Sequence, residues 1–223
     1  MTDAAFALDR PSALPMDGPE LASLVAAKLC HDFISPSGAI VSGLDLLNDP
    51  TAQDMRDDAL ALITDSAMKM VAMVQFCRVA FGAAGSAERF TAAEVQGLVE
   101  ALAGGGRATL AWRLDGADYT RAEARVLLNL AYLTVAALPS GGTATLSSRR
   151  QDGSLTLEGI ADGARARLKP EAATGLAGER LTDGLAGQWI QPYWLWLTSR
   201  EAGGRLDVTV SEGQVTLTAR MPA

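Results

Sequence analysis

Two long stretches with helical periodicity, joined by a short turn, constrain the N-terminal third of this chain more than any other feature. Apolar residues recur at helical spacing along residues 19–47 and again along residues 51–81. Asn48, Asp49 and Pro50 stand between the two stretches, a combination that ends one helix and starts the next. The first apolar stripe comprises Val25, Leu29, Phe33, Ile40, Leu44 and Leu47, and the second comprises Met55, Ala59, Leu62, Ile63, Met70, Val74, Cys77 and Phe81. The pattern predicts an antiparallel helical hairpin.

A hairpin of this length cannot bury its own apolar stripes. Each helix would be about 42–45 Å long at 1.5 Å per residue. Pairing with the same surface of a second copy gives a two-fold symmetric four-helix bundle and covers the stripes of both copies. We therefore expect a homodimer. The alternative is that the hairpin packs on the rest of its own chain.

The pattern divides the chain into four parts. Residues 1–18 are proline-rich and aperiodic and predict a flexible tail. The hairpin and its dimerisation surface occupy residues 19–82, and residues 83–89 form a linker. In residues 90–223 we expect helices at 91–103, 120–138 and 190–202, strands at 107–114, 143–149, 154–160, 205–211 and 214–220, and irregular structure at 161–187. This order predicts an α+β fold in which one face of a mixed sheet carries the helices.

Composition excludes several classes of function. The net charge of −7 and the pI near 4.7 argue against sequence-independent binding to nucleic acid. One histidine and two cysteines argue against a zinc site, and we expect Cys30 and Cys77 to be small apolar fillers. We find no secretory signal and no run of about 20 apolar residues, the densest being 189–197. A cytoplasmic protein with no membrane contact is expected.

The single histidine, His31, lies on the side of the first helix opposite the apolar stripe. Its neighbours on that side are small or polar: Ala27, Ser35, Gly38, Ser42 and Asp45. Asp32 follows directly and can orient an imidazole nitrogen, and Ile34 is an exposed apolar residue suited to docking. Pro36 removes a helical hydrogen bond and predicts a kink. The alternative is a solvated surface histidine without a role.

The string His31-Asp32-Phe33-Ile34-Ser35-Pro36 resembles the phosphoacceptor box of histidine kinases. With the wider string LCHDFISPSGAIVSGLDLL, the chain resembles the ChpT family of alphaproteobacterial histidine phosphotransferases along nearly its whole length. The resemblance implies a histidine-kinase-like dimerisation hairpin and a degenerate ATP-binding-like sandwich of the Bergerat fold. It also implies a cell-cycle phosphorelay, in which the histidine accepts a phosphoryl group from the receiver domain of a hybrid kinase and passes it to receiver domains of response regulators.

On this interpretation His31 is the phosphoacceptor and Asp32 orients its ring. We expect no cofactor and no metal in this chain, because the receiver domain supplies the phosphoaspartate and Mg²⁺. The predicted docking face for receiver domains comprises Ala27, Lys28, Ile34, Ser35, Gly38 and Ser42 of the first helix with Ser66, Ala67 and Met70 of the second. A non-catalytic dimeric scaffold that only binds receivers is an alternative.

An ATP-dependent histidine kinase is the other alternative. The kinase domain that the second half resembles has two asparagines four residues apart, but here Asn129 is followed by Leu133, which cannot bind Mg²⁺. Asp162-Gly163 lacks the spacing of an adenine-binding box, and 184–187 is a weak remnant of a phosphate loop. Aromatic residues between 189 and 194 could fill the space of a nucleotide. We therefore expect no ATP binding.

Overall fold

The computed structural model describes residues 16–82, 89–116, 118–180, 187 and 189–223, and the backbone of residues 4–7. The helices in these residues are α1 (Gly18–Asn48), α2 (Arg56–Ala80), α3 (Ala92–Ala103), α4 (Arg121–Ala136), α5 (Pro170–Leu176) and α6 (Ile190–Glu201). The strands are β1 (Ala4–Ala7), β2 (Arg89–Thr91), β3 (Ala108–Leu114), β4 (Asp118–Thr120), β5 (Gly142–Gln151), β6 (Ser154–Asp162), β7 (Arg205–Ser211) and β8 (Gln214–Pro222).

The predicted helical hairpin is confirmed: α1 and α2 pack along each other. The side chain of Asp17 caps α1 by accepting a hydrogen bond from the Glu20 amide at 2.8 Å. After α1, the Asp49 carboxylate accepts bonds from the amide and the hydroxyl of Thr51, at 2.8 and 2.7 Å. This local turn and a 3₁₀ turn at Gln53–Met55 occupy the residues before the second helix. It therefore begins at Arg56 and not at the predicted residue 51.

The second half is the predicted α+β sandwich. Its six-stranded sheet has the order β1-β7-β8-β6-β5-β3; β3 and β5 are parallel and the other neighbours are antiparallel. Strand residues alternate between buried and partly exposed, and α3, α4 and α6 contact the sheet. A Cβ at Gly159 of β6 would lie 2.1 Å from Oγ1 of Thr134 on α4, so the absence of a side chain permits this close packing. Strands β2 and β4 pair separately and were not predicted.

The end of α2 is anchored on the sandwich through the Ala80 carbonyl and the Phe81 ring. The Ala80 carbonyl accepts a bond from the Trp194 indole at 2.8 Å and another from the Asn129 amide at 2.9 Å. The rings of Phe81 and Trp194 pack with their centroids 5.6 Å apart. Hydrogen bonding and aromatic packing therefore fix the hairpin to α4 and α6.

Three predictions about the connecting segments need correction. Residues 4–7 are not a free tail, because β1 pairs with β7 at the sheet edge; residues 1–3 and 8–15 lie outside the described part. Residues 161–187 are not wholly irregular, since α5 begins there at Pro170, a residue suited to a helix start. Of the predicted linker, residues 83–88 lie outside the described part and Arg89 already belongs to β2.

Part of the predicted apolar stripe is not buried within one chain. Leu44, Met55, Leu62 and Val74 are exposed in the single chain, where the pattern predicts that one hairpin leaves part of its stripes uncovered. Among the described residues, one helical segment, Gln53–Ala80, is long and apolar enough to cross a bilayer on length and composition alone, contrary to the sequence-based expectation. A helix from a soluble bundle can pass the same test, so this finding is weak evidence for a membrane span.

Candidate functional site

His31 projects from the second quarter of α1 into solvent. Its side chain is 58% exposed, and its Nδ1 lies 3.2 Å from Oδ1 of Asp32. An ionised carboxylate can only accept a hydrogen bond, so this contact favours the tautomer with a proton on Nδ1. Nε2 then keeps its lone pair. The arrangement presents an oriented nitrogen nucleophile at the protein surface.

The other carboxylate oxygen of Asp32 forms a salt bridge with a buried lysine. The Lys28 ammonium lies 2.5 Å from Oδ2 of Asp32, one helical turn away, and 3.4 Å from the hydroxyl of Tyr132 on α4. Burial is the largest single influence on Lys28 and opposes its charge, but Tyr132 and Asp32 outweigh it and raise the pKa of Lys28 above its usual value. The lysine therefore stays charged, and the two oxygens of Asp32 face different partners.

Beside His31, a cleft of about 250 Å³ runs between the hairpin and the sandwich. It is lined by His31, Asp32, Ser35, Pro36, Lys69, Met73, Phe76, Cys77, Phe81, Leu102, Tyr132 and Gln191. Burial, helped by the charge of Asp32, raises the pKa of the Cys77 thiol to about 11, as expected for an apolar filler. Cys30 is exposed, so the same prediction is wrong for Cys30.

Pro36 lies inside α1, and the helix continues through it to Asn48. Proline has no N–H to donate to the carbonyl of Asp32. The next residue, Ser37, donates its hydroxyl to the Phe33 carbonyl at 2.7 Å. The exposed His31 and the buried Pro36 both line the same cleft.

Six residues of the predicted docking face are exposed as such a face requires: Ala27, Ile34, Ser35, Gly38, Ser42 and Ala67. Ile34, 72% exposed, is the most apolar feature beside the histidine. Lys28 and Ser66 are buried, so their assignment to the face is wrong. The Lys28 side chain forms a salt bridge with Asp32. Ser66 lies on the same buried side of α2 as Ala59 and Met73, which are seven residues before and after it. Met70 is partly buried, with its sulfur 3.7 Å from the Ser37 hydroxyl.

Asn129, which stands on α4 four residues before Leu133, is held by internal hydrogen bonds. Asn129 is fully buried. Its amide nitrogen donates to the carbonyls of Ala80 and Arg125 at 2.9 and 2.8 Å, and its oxygen accepts from Gln191 at 3.1 Å. Metal binding there would break these contacts. The described residues contain no group of three or more His, Cys, Asp or Glu side chains that could hold a metal, and most of the weak phosphate-loop remnant at 184–187 lies outside them.

The structure thus combines a long helical hairpin, one exposed and oriented histidine, and a sandwich on which the hairpin is anchored. Residues 92–214 match the family described as "Histidine phosphotransferase C-terminal domain". The chain is 28% identical to "Protein phosphotransferase ChpT" of Brucella abortus (strain 2308) over 201 residues. This alignment covers 90% of this chain and 95% of that protein. It also resembles a solved structure described as a bacterial phosphotransferase, with a TM-score of 0.81 and 26% identity over 92% of this chain and 98% of the other.

The chain belongs to the histidine phosphotransferase family. The resemblance to the ChpT family, which was predicted from the residues around His31, is confirmed by these similarities along most of the chain.

Proposed function

We propose that this protein is a homodimeric phosphorelay phosphotransferase that accepts a phosphoryl group on Nε2 of His31 and passes it on. The observation that supports this assignment most directly is the exposed His31 ring with its Nδ1 3.2 Å from Asp32. A neutral imidazole carries a lone pair on its unprotonated ring nitrogen. A nucleophile is therefore available without a further base.

The transfer is an in-line displacement at phosphorus. The Nε2 lone pair forms the N–P bond while the bond from phosphorus to the aspartyl oxygen of the receiver breaks, and the electron pair of that bond returns to the aspartyl carboxylate. No proton leaves the ring, so the imidazole becomes cationic with its proton still on Nδ1. The negative charge of Asp32 beside Nδ1 favours this charged ring. Transfer to a second receiver is the same step in reverse.

The partners of this reaction are receiver domains. By the resemblance, the donor is the receiver of a hybrid histidine kinase and the acceptors are receivers of response regulators in a cell-cycle phosphorelay in the cytoplasm. The receiver supplies the phosphoaspartate and Mg²⁺, so the chain needs no cofactor of its own. The proposed docking face, corrected for burial, comprises Ala27, Ile34, Ser35, Gly38, Ser42 and Ala67.

The sandwich is proposed to bind no ATP. Leu133 stands where the resemblance would place the Mg²⁺-binding asparagine, and Asn129, four residues earlier, is buried with its side chain bonded to Ala80, Arg125 and Gln191. Calorimetric titration with Mg²⁺-ATP is expected to give no binding heat. Micromolar affinity would instead support an ATP-dependent kinase.

Exposed apolar side chains on the hairpin support a homodimer. Leu60, Val71 and Val74 are all more than two-fifths exposed. At about 100° per residue they fall on one side of α2. A second copy of the hairpin, packed on this side, would cover them in a four-helix bundle.

Transfer of a radiolabel tests the proposal. Receiver domains of hybrid kinases encoded in the same genome are charged with ³²P-acetyl phosphate and mixed with the protein. The wild type is expected to acquire acid-labile label, and His31→Ala to acquire none. His31→Asn is a matched control, because its amide can still donate to Asp32 but has no nucleophilic nitrogen, and it too is expected to stay unlabelled.

The same experiment separates the proposal from a scaffold. A scaffold would bind the receiver equally well as wild type and as His31→Ala, and would pass no label from one receiver to another. Label that persists in His31→Ala would contradict the assignment of the phosphoacceptor.

A further inference from the structure

Asp32 occupies a more constrained position than an exposed helical carboxylate normally does. One oxygen faces the solvent-exposed ring of His31, and the other meets the ammonium of Lys28 at 2.5 Å. Lys28 is 4% exposed, although it is charged and sits on the same helix as the exposed histidine. Such burial of a lysine is rare unless the charge is paired.

The buried charge restricts the carboxylate. If Asp32 rotated away, Lys28 would keep its ammonium without an opposite charge in a desolvated site, which is unfavourable. The salt bridge therefore favours one orientation of the Asp32 side chain. In that orientation Oδ2 is occupied by Lys28, and Oδ1 is the oxygen that lies beside Nδ1 of His31.

Lys28 is in turn enclosed by the sandwich. Its ammonium lies 3.4 Å from the hydroxyl of Tyr132 and 5.3 Å from the centroid of the Tyr132 ring. The Tyr132 ring also packs on Phe76 of α2, with the ring centroids 5.9 Å apart. Tyr132 thus links α4 to both helices of the hairpin at the level of the histidine.

We propose that Lys28 and Tyr132 are positioning residues that hold Asp32 in the orientation which keeps the proton of neutral His31 on Nδ1 and the nucleophilic lone pair on Nε2. A free imidazole exchanges between its two neutral tautomers, and only the Nδ1-protonated one can attack through Nε2. The role rests on the proposed relay through His31. Through Tyr132, the sandwich would then help to set the tautomer of a histidine that lies on the hairpin.

The tautomer can be measured without assignment problems, because His31 is the only histidine in the chain. In protein labelled with ¹⁵N-histidine, two-bond ¹H–¹⁵N spectra at a pH where the ring is neutral report which nitrogen carries the proton. The wild type is expected to show a protonated Nδ1 and an unprotonated Nε2. In Lys28→Met, the protonated fraction at Nδ1 is expected to fall.

Transfer rates are measured on the same variants at saturating phosphorylated receiver. Lys28→Met is expected to slow transfer about tenfold, the lower end of what partners that orient a histidine contribute at metal sites. Lys28→Arg keeps the charge and is expected to recover most of both the rate and the tautomer. Tyr132→Phe keeps the ring but loses the hydroxyl, with an expected loss of about threefold. Affinity for the unphosphorylated receiver is expected to stay unchanged, because Lys28 is buried.

A matched control removes a different tyrosine hydroxyl from the sandwich. Tyr119→Phe loses a bond of 2.7 Å to Ser148 within the core, and it is expected to leave the His31 tautomer and the transfer rate as in the wild type. Thermal melting checks that each variant is folded. Should Lys28→Met fail to fold, the His31 tautomer in Tyr132→Phe decides, and it is expected to show a lower protonated fraction at Nδ1 than the wild type.

Two negative outcomes are distinguishable. If the wild type acquires no label from any receiver, the proposed relay itself fails. If the wild type is labelled but the His31 tautomer is the same in Lys28→Met and Tyr132→Phe as in the wild type, the positioning role is overturned, whatever the rates do.

Discussion

At the scale of single residues, Glu123 combines a helix cap and an ion pair in one carboxylate. It accepts a bond from the Thr120 amide at 2.7 Å, which completes a capping box at the start of α4. It also receives two bonds from the Arg150 guanidinium, each 2.9 Å long. Burial alone would raise the pKa of Glu123, but the bonds from Arg150 and Thr120 outweigh it and hold the pKa below its usual range. Its folded pKa therefore lies below its unfolded one.

Glu123→Gln is expected to lower the free energy of unfolding by about 2 kcal/mol at neutral pH, since the bonds from Arg150 lose their charged acceptor. Glu94→Gln is the matched control: Glu94 forms the same capping box with Thr91 but is exposed, so the expected loss is about 0.5 kcal/mol. Urea unfolding at a fixed protein concentration measures both.

The sign of the pH dependence follows from the lowered pKa. The stabilisation by Glu123 is fully present above its unfolded pKa, near 4.5, and is lost as the pH falls through the lower folded value. The gap between the wild type and Glu123→Gln is therefore expected to close on acidification. Two outcomes would contradict this account of Glu123: equal losses of unfolding free energy in Glu123→Gln and Glu94→Gln, or a difference between the wild type and Glu123→Gln that does not change with pH.

At the scale of elements, the two hairpin helices pack closely where α1 has a buried glycine. A Cβ on Gly43 would lie 2.6 Å from Cγ1 of Ile63 and 3.1 Å from the carbonyl oxygen of Ala59. Gly38, five residues earlier on the same helix, has nothing within 4 Å of a Cβ. The two glycines thus have opposite roles: Gly43 permits close helix packing, and Gly38 keeps the surface near His31 low.

Gly43→Ala is expected to destabilise the protein by about 2 kcal/mol, because the added methyl group must push the helices apart. Gly38→Ala is expected to stabilise it by about 0.5–1 kcal/mol through the better helix propensity of alanine. Thermal unfolding followed by circular dichroism gives both shifts. A loss of stability in Gly38→Ala as large as that in Gly43→Ala would contradict this account, because the cost at Gly43 would then not be specific to the contact between the helices.

The elements also indicate how far the sequence could be interpreted. The long periodic stripes of α1 and α2 and the turns at Gly residues predict most of the fold, because periodicity over many residues is a strong signal. Strand β1 has four residues without alternation, and its pairing depends on a sheet edge built from the other end of the chain. Helix α5 has seven residues, too few for a periodic pattern.

The site was predictable to the same extent. His31 and Asp32 are adjacent, so their contact follows from the sequence once the helix is assigned. The burial of Lys28 does not, because it depends on Tyr132, which is 104 residues away in the chain. Lys28 and Asp32 are four residues apart, a spacing at which opposite charges meet on a helix, and this was the one available signal.

At the scale of the whole molecule, the residues around the histidine come from one chain. Asp32 contacts His31, and Lys28 contacts both Asp32 and Tyr132, all within a single protomer. The contacts that orient His31 are thus made within one chain, and the proposed dimer would cover apolar surface on α2. Association and transfer should be separable.

The double variant Val71→Glu, Val74→Glu is expected to change a dimer of twice the 23.3 kDa chain mass into a monomer, because it buries charges in the apolar seam. Light scattering after gel filtration measures the mass. Val210→Glu places the same charge at an exposed apolar residue of β7, outside the hairpin, and is expected to remain dimeric.

The monomeric variant is expected to retain most of its transfer rate per chain. A monomeric wild type would contradict the proposed dimer. Binding of the wild type to lipid vesicles through Gln53–Ala80 would also contradict it, because a membrane and not a second copy would then cover the apolar side of α2.

The central claim is that the phosphoryl group resides on Nε2 of His31 while Nδ1 keeps its proton. Its most direct test is a ³¹P–¹⁵N correlation spectrum of ¹⁵N-histidine-labelled protein, recorded after incubation with a phosphorylated receiver domain. We expect one phosphorus signal coupled to Nε2 of the single histidine. Phosphorus coupled to Nδ1, or phosphoprotein with no phosphorus–nitrogen coupling at all, would contradict the account.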